Sequence, residues 1–149
     1  MNLSEVTGLR LLAMDGDDLK VISAACQDGV CKPADLVFEA SRRRFRIEIN
    51  RYCWEKATEN QHGFRVRSVL SFEDVSKVRA RGLPPRSADL VLSLLSVEWI
   101  EDETNPPGGE VRLMFAGDGE MVISADCLDA TLIDTTKAWP TKNRPEHKA

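Results

Sequence analysis

The sequence predicts one α+β domain made mostly of strands, folded as an antiparallel barrel or a two-sheet sandwich with one N-terminal helix. After residue 33, short segments of alternating apolar and polar residues follow one another between turn residues, as in strands with one solvent-facing side. Residues 17–27 instead show the three- and four-residue apolar spacing of a helix. The length of 149 residues fits a single domain. By analogy, a barrel like that of pleckstrin-homology domains is one candidate architecture.

The first predicted elements are a strand and a helix. Residues 9–14, which are apolar except for Arg10, predict a strand that ends at an Asp-Gly turn. In the helix over residues 17–27, either Asp17 or Asp18 is suited to accept hydrogen bonds from the first backbone N–H groups. Gly29 follows the last apolar position and predicts the end of the helix.

A series of strands is predicted after the helix. Alternation of apolar and polar residues indicates a hairpin with one solvent-facing side, followed by two strands that carry basic residues on one side. A longer segment is apolar on both faces, as expected of a central strand that is covered on both sides. The predicted strands cover residues 36–39, 44–50, 64–72 and 75–81, and the two-sided strand covers residues 89–99.

The last third of the chain contains the clearest hairpin signal. Residues 116–119, Ala-Gly-Asp-Gly, lie between two alternating segments. Residues 127–133 fit either a strand continued through a bulge or a short closing helix, and we prefer the strand. We expect the folded domain to span residues 1–138 and residues 139–149 to form a mobile tail, anchored by Trp139.

Composition narrows the class of protein. Hydrophobic residues make up 42% and charged residues 30%, which is typical of globular domains and argues against a disordered or fibrous chain. The first residues lack the basic start and continuous apolar run of a secretory signal. The longest nearly apolar run, residues 90–100, is too short to span a membrane. We therefore expect a cytoplasmic protein without a membrane partner.

The residues suited to metal binding or catalysis form no motif. The cysteines at positions 26, 31, 53 and 127 include no CxxC pair, so we expect reduced structural thiols and no metal site. The two histidines fall in a predicted loop (His62) and in the tail (His147), where we expect them to be solvated. Neither a catalytic residue nor a cofactor is predicted, and the sequence favours a protein that is not an enzyme.

Charge is strongly partitioned along the chain although the net charge is only −4. Residues 41–86 hold twelve Lys and Arg against five acids, whereas residues 87–134 hold one Arg against eleven acids. One interpretation is a basic face that binds an acidic partner or phosphate. The favoured alternative is cross-strand pairing of the arginines with acids such as Glu98, Glu101, Asp126 and Asp129. The basic face would comprise Arg42, Arg43, Arg44, Arg46, Arg51, Arg65, Arg67, Lys77, Arg79 and Arg81.

A candidate ligand site lies where the second strand of the first hairpin ends. There a short segment combines a guanidinium group, an amide and two amphipathic rings beside a polar loop, and such strand ends often bind ligands. The structural alternative is that these side chains only cover the mouth of the barrel. With the two arginines of the next strand, the candidate residues are Asn50, Arg51, Tyr52, Trp54, Arg65 and Arg67.

Several blocks of sequence occur in an order shared with one family. They are LRLLAMDGDDLKVISAACQDGV, RRRFRIEINRYCWE, LSLLSVEW, FAGDGE, DCLDATLID and the closing W-P-T-x-x-R-P-x-H. In these blocks, which cover nearly the whole chain, the protein resembles short bacterial proteins known only as a domain of unknown function and best represented in alphaproteobacteria. The resemblance implies a bacterial cytoplasmic origin and carries no assigned activity, substrate, cofactor or catalytic residue.

Three functional hypotheses follow from the residues. The leading one is a non-enzymatic binding or assembly module whose Arg-rich face engages an acidic protein surface or a second copy of the chain. The second is a small enzyme or binding protein for a phosphorylated or nucleotide ligand, an anionic small molecule held near Arg51, Trp54 and Arg65. RNA binding is the weakest of the three, because the net charge is negative and few aromatic residues are placed for base stacking.

Overall fold

The computed structural model describes residues 8–54, 63–141 and 145. In these ranges there is one α-helix, α1 (Gly16–Cys26), and it is neither long nor apolar enough to cross a membrane. Short 3-10 turns flank the third strand at Pro33–Asp35 and Ala40–Arg42. The strands are β1 (Arg10–Ala13), β2 (Val30–Cys31), β3 (Leu36–Glu39), β4 (Arg44–Tyr52), β5 (Gly63–Phe72), β6 (Val75–Arg81), β7 (Leu92–Glu101), β8 (Gly109–Phe115), β9 (Glu120–Ala125), β10 (Ala130–Asp134) and β11 (Trp139–Thr141).

The strands form one antiparallel sheet in the order β1-β10-β5-β4-β2-β7-β8-β9-β6, with β3 added to β4 and β11 added to β5. The two-residue strand β2 joins the two halves of the sheet, since it pairs with both β4 and β7. The predicted α+β fold made mostly of strands is confirmed. The sheet is not closed into a barrel; its two halves pack on each other as in a sandwich.

The core lies between the two halves of the sheet and under the helix. Helix α1 contributes Leu19, Ile22 and Cys26, all almost fully buried. The same hydrophobic cluster includes residues of β4 and β5 from one half of the sheet and of β7, β8 and β9 from the other. Burial of these apolar side chains is the main driving force for the fold.

All four cysteines are free thiols. Burial raises the pKa of Cys26 and of Cys31 to about 12. These two thiols therefore stay protonated at neutral pH and serve as small core side chains, as the sequence predicts.

Both ends of α1 differ from the prediction. The N-cap is Asp15, whose carboxylate accepts a hydrogen bond from the Asp18 N–H at 2.8 Å, so the assignment of the cap to Asp17 or Asp18 is wrong. Those two residues occupy the first turn, where negative charge favours the helix dipole. At the other end Asp28 adopts the left-handed conformation (φ 63°), and Gly29 is needed for space, because a Cβ there would lie 2.9 Å from the Cys26 carbonyl oxygen.

Strand β7 is not covered on both faces, contrary to the prediction. Leu94 is buried, the register then shifts between Leu94 and Ser96, and the next buried residue is Val97. This bulge reverses which of two successive residues faces inward in the second half of the strand. Inward-facing apolar residues therefore fall at both odd and even positions of the sequence, which looks like a strand that is apolar on both faces. The outward-facing side chains of Leu95 and Ile100 are 40% and 42% exposed.

The C-terminal third follows the sequence pattern closely. The predicted hairpin joins β8 and β9, and Gly117 and Asp118 supply the two positive φ angles of its turn. The ambiguous segment contains strand β10, which confirms the preferred strand assignment. Residues 139–141, which fall in the predicted tail, form β11 and pair with residues 63–65 of β5.

Candidate functional site

The first part of the predicted ligand site is a buried ion pair. Arg51 donates from Nε and Nη2 to the two carboxylate oxygens of Asp134, each at 2.9 Å. The side chains are 0% and 1% exposed. The Ser68 hydroxyl and the Leu9 N–H also donate to this carboxylate, at 2.7 and 3.0 Å. The pair thus ties β4, β5, β10 and the segment before β1 together.

The environment of Asp134 favours its ionised form. Burial acts to raise the pKa of this carboxyl, but hydrogen bonds from Arg51 and Ser68, together with the charge of Arg51 and the Leu9 N–H, hold the pKa below its ordinary value. The hydrogen bonds from Arg51, Ser68 and Leu9 take the place of the water that the Asp134 carboxylate loses on burial. The arrangement is suited to holding three strands in register.

The aromatic part of the predicted site lies at the ends of β4 and β5. The rings of Tyr52 and Trp54 pack edge to face, with their centres 4.6 Å apart. The Arg65 guanidinium lies 5.8 Å from the centre of the Tyr52 ring. Arg65 donates to the carbonyl oxygens of Asn50 and Asp28, at 2.9 and 3.3 Å. Desolvation by burial lowers the pKa of Arg65. The structure therefore brings Tyr52, Trp54 and Arg65 together and bonds the Arg65 guanidinium to backbone carbonyl oxygens.

Strand β5 begins with Gly63, which packs against Tyr52, and the sequence does not predict this contact. The Tyr52 hydroxyl is buried against Gly63, where any Cβ would overlap it, and it has no hydrogen-bond partner within the described part of the chain. The Trp54 Nε1–H is bonded to the Gln27 carbonyl oxygen at 2.8 Å. A glycine at the start of a strand is a weak sequence signal, because glycines there have many causes.

The remaining candidate residues, Asn50 and Arg67, belong to a network of hydrogen bonds and ion pairs on the outer surface of β3, β4 and β5. Arg67 donates to the Asn50 side chain at 3.1 Å and to carboxylates of Glu48 and Asp35 at 2.9 and 3.1 Å. Arg46 contacts Glu39 and Glu48 at 2.7 and 3.2 Å. Cations and anions alternate on this surface, which weakens its positive potential.

The other arginines of the predicted basic face also lie beside carboxylates. Arg44 contacts Glu73 at 2.6 Å, and Arg43 contacts Asp126 at 2.5 Å. Arg42 is more exposed and lies 3.8 Å from Glu39. Most of these acids belong to the basic segment or to its immediate neighbours in the chain. The alternation of basic and acidic residues within the segment indicates these local ion pairs, whereas the net charge of the segment does not.

Strand β6 carries the rest of the predicted basic face, and it lies at the edge of the sheet. Lys77, Arg79 and Arg81 alternate along it, and we call these three residues the basic edge. Arg81 contacts Glu120 of β9 at 2.9 Å and its side chain is 80% exposed. Arg79 contacts Glu110 and its side chain is 54% exposed. Lys77 is exposed and has no ion pair to the described residues.

An apolar crevice lies beside the opposite face of β6. Its volume is ≈ 380 Å³, within the range of about 300–1,000 Å³ that is usual for binding pockets. Val78 and Ala80 of β6 form one wall, and no pattern in the sequence indicates that these residues line a pocket. We call this the β6 crevice; its other lining residues include Leu36, Phe38, Phe45, Leu83, Arg86 and Met121.

The described side chains include no group of three or more His, Cys, Asp or Glu that could hold a metal ion. His62 and His147, which were expected to be solvated, lie outside the described residues.

Comparison with known proteins identifies one family. Neither the curated proteins nor the solved structures include a significant match to this chain. The family model described as "Protein of unknown function (DUF2948)" matches residues 9–147, which is nearly the whole chain. The resemblance seen in the ordered sequence blocks is confirmed at the level of that family. The chain belongs to the DUF2948 family of proteins of unknown function.

Proposed function

We propose that the protein is a non-enzymatic binding module that engages an acidic protein partner through the basic edge of its sheet. The observation that carries the proposal is the position of Lys77, Arg79 and Arg81 on an exposed edge strand. Cations at such a position attract acidic partners and orient them before contact.

The arginines of β6 differ from those of the other basic surfaces. Arg51 is 0% exposed and bound to Asp134, and Arg67 lies between two carboxylates. On β6, the acids that contact Arg79 and Arg81 lie on β8 and β9, away from the free side of the strand. A guanidinium group has five N–H donors, so a single ion pair leaves donors for a partner. These features favour β6 over the predicted ligand site.

The experiment is a binding titration with fluorescent poly-glutamate at low and high salt. We expect salt-sensitive binding to the native protein and strongly reduced binding to the double variant Lys77→Glu/Arg81→Glu. The matched control is Lys20→Glu/Lys137→Glu, which changes the net charge equally at two other exposed lysines. Equal loss in both variants, or no binding by the native protein, would refute the proposal.

A second copy of the chain is one source of the acidic surface. Light scattering at low and high salt distinguishes this form, because self-association through the basic edge would weaken in high salt and in Lys77→Glu/Arg81→Glu. Stabilisation of the fold by nucleotides or sugar phosphates that is unchanged in that variant would instead favour the ligand site around Arg51, and would contradict the proposal.

A further inference from the structure

Resting on the function proposed above, we infer that the partner binds as an added β-strand: an extended peptide segment that alternates apolar and acidic residues and pairs with β6. The inference concerns the class of segment and its mode of binding. Three features of β6 and its surroundings carry it: a free strand edge, an apolar crevice on one side and the basic edge on the other.

The free edge of β6 is the first feature. β6 is the last strand of the sheet and pairs only with β9 among the described elements, from Val75 opposite Ala125 to Arg81 opposite Glu120. Its start is fixed by the Val75 N–H, which donates to the Arg43 carbonyl oxygen at 2.9 Å. An edge strand presents unpaired backbone N–H and C=O groups, which are a template for another extended chain.

The two faces of β6 determine which side chains an added strand would need. Val78 and Ala80 line the β6 crevice, whereas the basic edge residues Lys77, Arg79 and Arg81 alternate with them and face the other way. Side chains of neighbouring strands lie beside each other on the same face. An added strand would therefore place apolar residues over the crevice and acidic residues beside the three cations.

The crevice separates β6 from β3, and the two edges are not equivalent. The Arg86 guanidinium donates to the carbonyl oxygens of Leu36 and Ala34, at 3.1 and 3.3 Å, so backbone acceptors beside β3 are already bonded. In the described part of the chain, no side chain of the linker between β6 and β7 makes a comparable bond to the backbone of β6. An added strand therefore meets fewer existing side-chain bonds to the backbone at β6 than at the start of β3.

The test compares three fluorescent peptides by anisotropy: one that alternates valine and glutamate, one of the same composition with its valines grouped together, and poly-glutamate. We expect the alternating peptide to bind roughly tenfold more tightly than the grouped peptide, since only alternation satisfies both faces. Val78→Thr, a change of similar volume in the crevice, should weaken the alternating peptide and leave poly-glutamate unaffected. Val37→Thr on β3, which lies outside the crevice lining, is the matched control.

The outcomes separate this inference from the proposed function. Equal affinity for the alternating and grouped peptides, with both lost in Lys77→Glu/Arg81→Glu, would overturn strand addition and leave the acidic-partner proposal standing. Binding by none of the three peptides would overturn both. Equal effects of Val78→Thr and Val37→Thr on the alternating peptide would also overturn strand addition, and thermal unfolding of each variant checks that it is folded.

Discussion

At the scale of single residues, Arg51 and Asp134 show that the most conspicuous side chains of a sequence can have a structural role. Arg51 was predicted to bind a ligand because it ends a strand beside a polar loop. In the fold both oxygens of Asp134 accept from it, and neither side chain is more than 1% exposed. The partner lies 83 residues along the chain, and no local pattern indicates that contact.

Removing one member of this pair should destabilise the protein severely. Asp134→Ala leaves the Arg51 guanidinium buried without its counter-charge, and we expect a loss of about 3–5 kcal/mol in the free energy of unfolding. Urea denaturation measures the change. The comparison is Asp89→Ala, which removes an exposed partner of Lys32 and should cost far less. Similar losses in the two variants would contradict the structural role of the buried pair.

The same carboxylate should make stability depend on pH in the acid range. Because the pKa of Asp134 is lowered in the folded protein, its ionised form stabilises the fold above the unfolded-state pKa of about 3.9. That stabilisation is lost as the pH falls through this value toward the folded-state pKa. Unfolding free energies measured from pH 6 to pH 3 should fall more steeply for the native protein than for Asp134→Asn. Parallel curves would show that Asp134 is not the responsible group.

At the scale of elements, strand alternation and helical spacing identify α1 and most strands, because those patterns come from the backbone itself. What they miss depends on single local events. The bulge in β7 changes which residues face inward after Leu94. The helix cap moves to Asp15, and Gly29 is required by close packing against Cys26 and Ile49. Such events depend on contacts between elements, and a periodicity measured along one element does not contain them.

Close packing at the start of β8 gives a prediction for this scale. A Cβ on Gly109 would overlap the Ile100 carbonyl oxygen and the Trp99 ring, and the backbone atom cannot rotate away. We expect Gly109→Ala to lower the free energy of unfolding by about 1–3 kcal/mol, measured by urea denaturation. Gly16→Ala is the control, since its Cβ would lie 3.9 Å from the nearest side chain and alanine favours a helix. Equal stability of the two variants would contradict the packing described here.

At the scale of the whole molecule, the fold brings the basic and the acidic parts of the chain together. Arg43, Arg51, Arg79 and Arg81 of the basic segment contact acids of the segment that follows it. The charge partition along the sequence therefore does not become two separate surfaces. Glu39, Glu48 and Glu73 neutralise other arginines locally. The number of cations can be counted in the sequence, and the alternation of polar and apolar residues predicts the strands that carry them. Which of these cations stay exposed depends on the strand order.

Strand order also decides where the sheet ends. The two halves of the sheet are joined through the short strand β2, and the sheet does not close into a barrel. Strand β6 therefore remains at an edge, with the basic edge residues on one face and the β6 crevice on the other. The sequence places three cations on a strand but cannot show that the strand is terminal. That single fact of topology turns an ordinary alternating strand into a candidate binding surface.

Amide hydrogen exchange with and without the alternating valine–glutamate peptide locates the surface at which the peptide binds. We expect the peptide to slow exchange in residues 75–81, with little change at the ends of β4 and β5. Protection centred on Asn50, Arg51 and Trp54, or binding without any protection of β6, would contradict it.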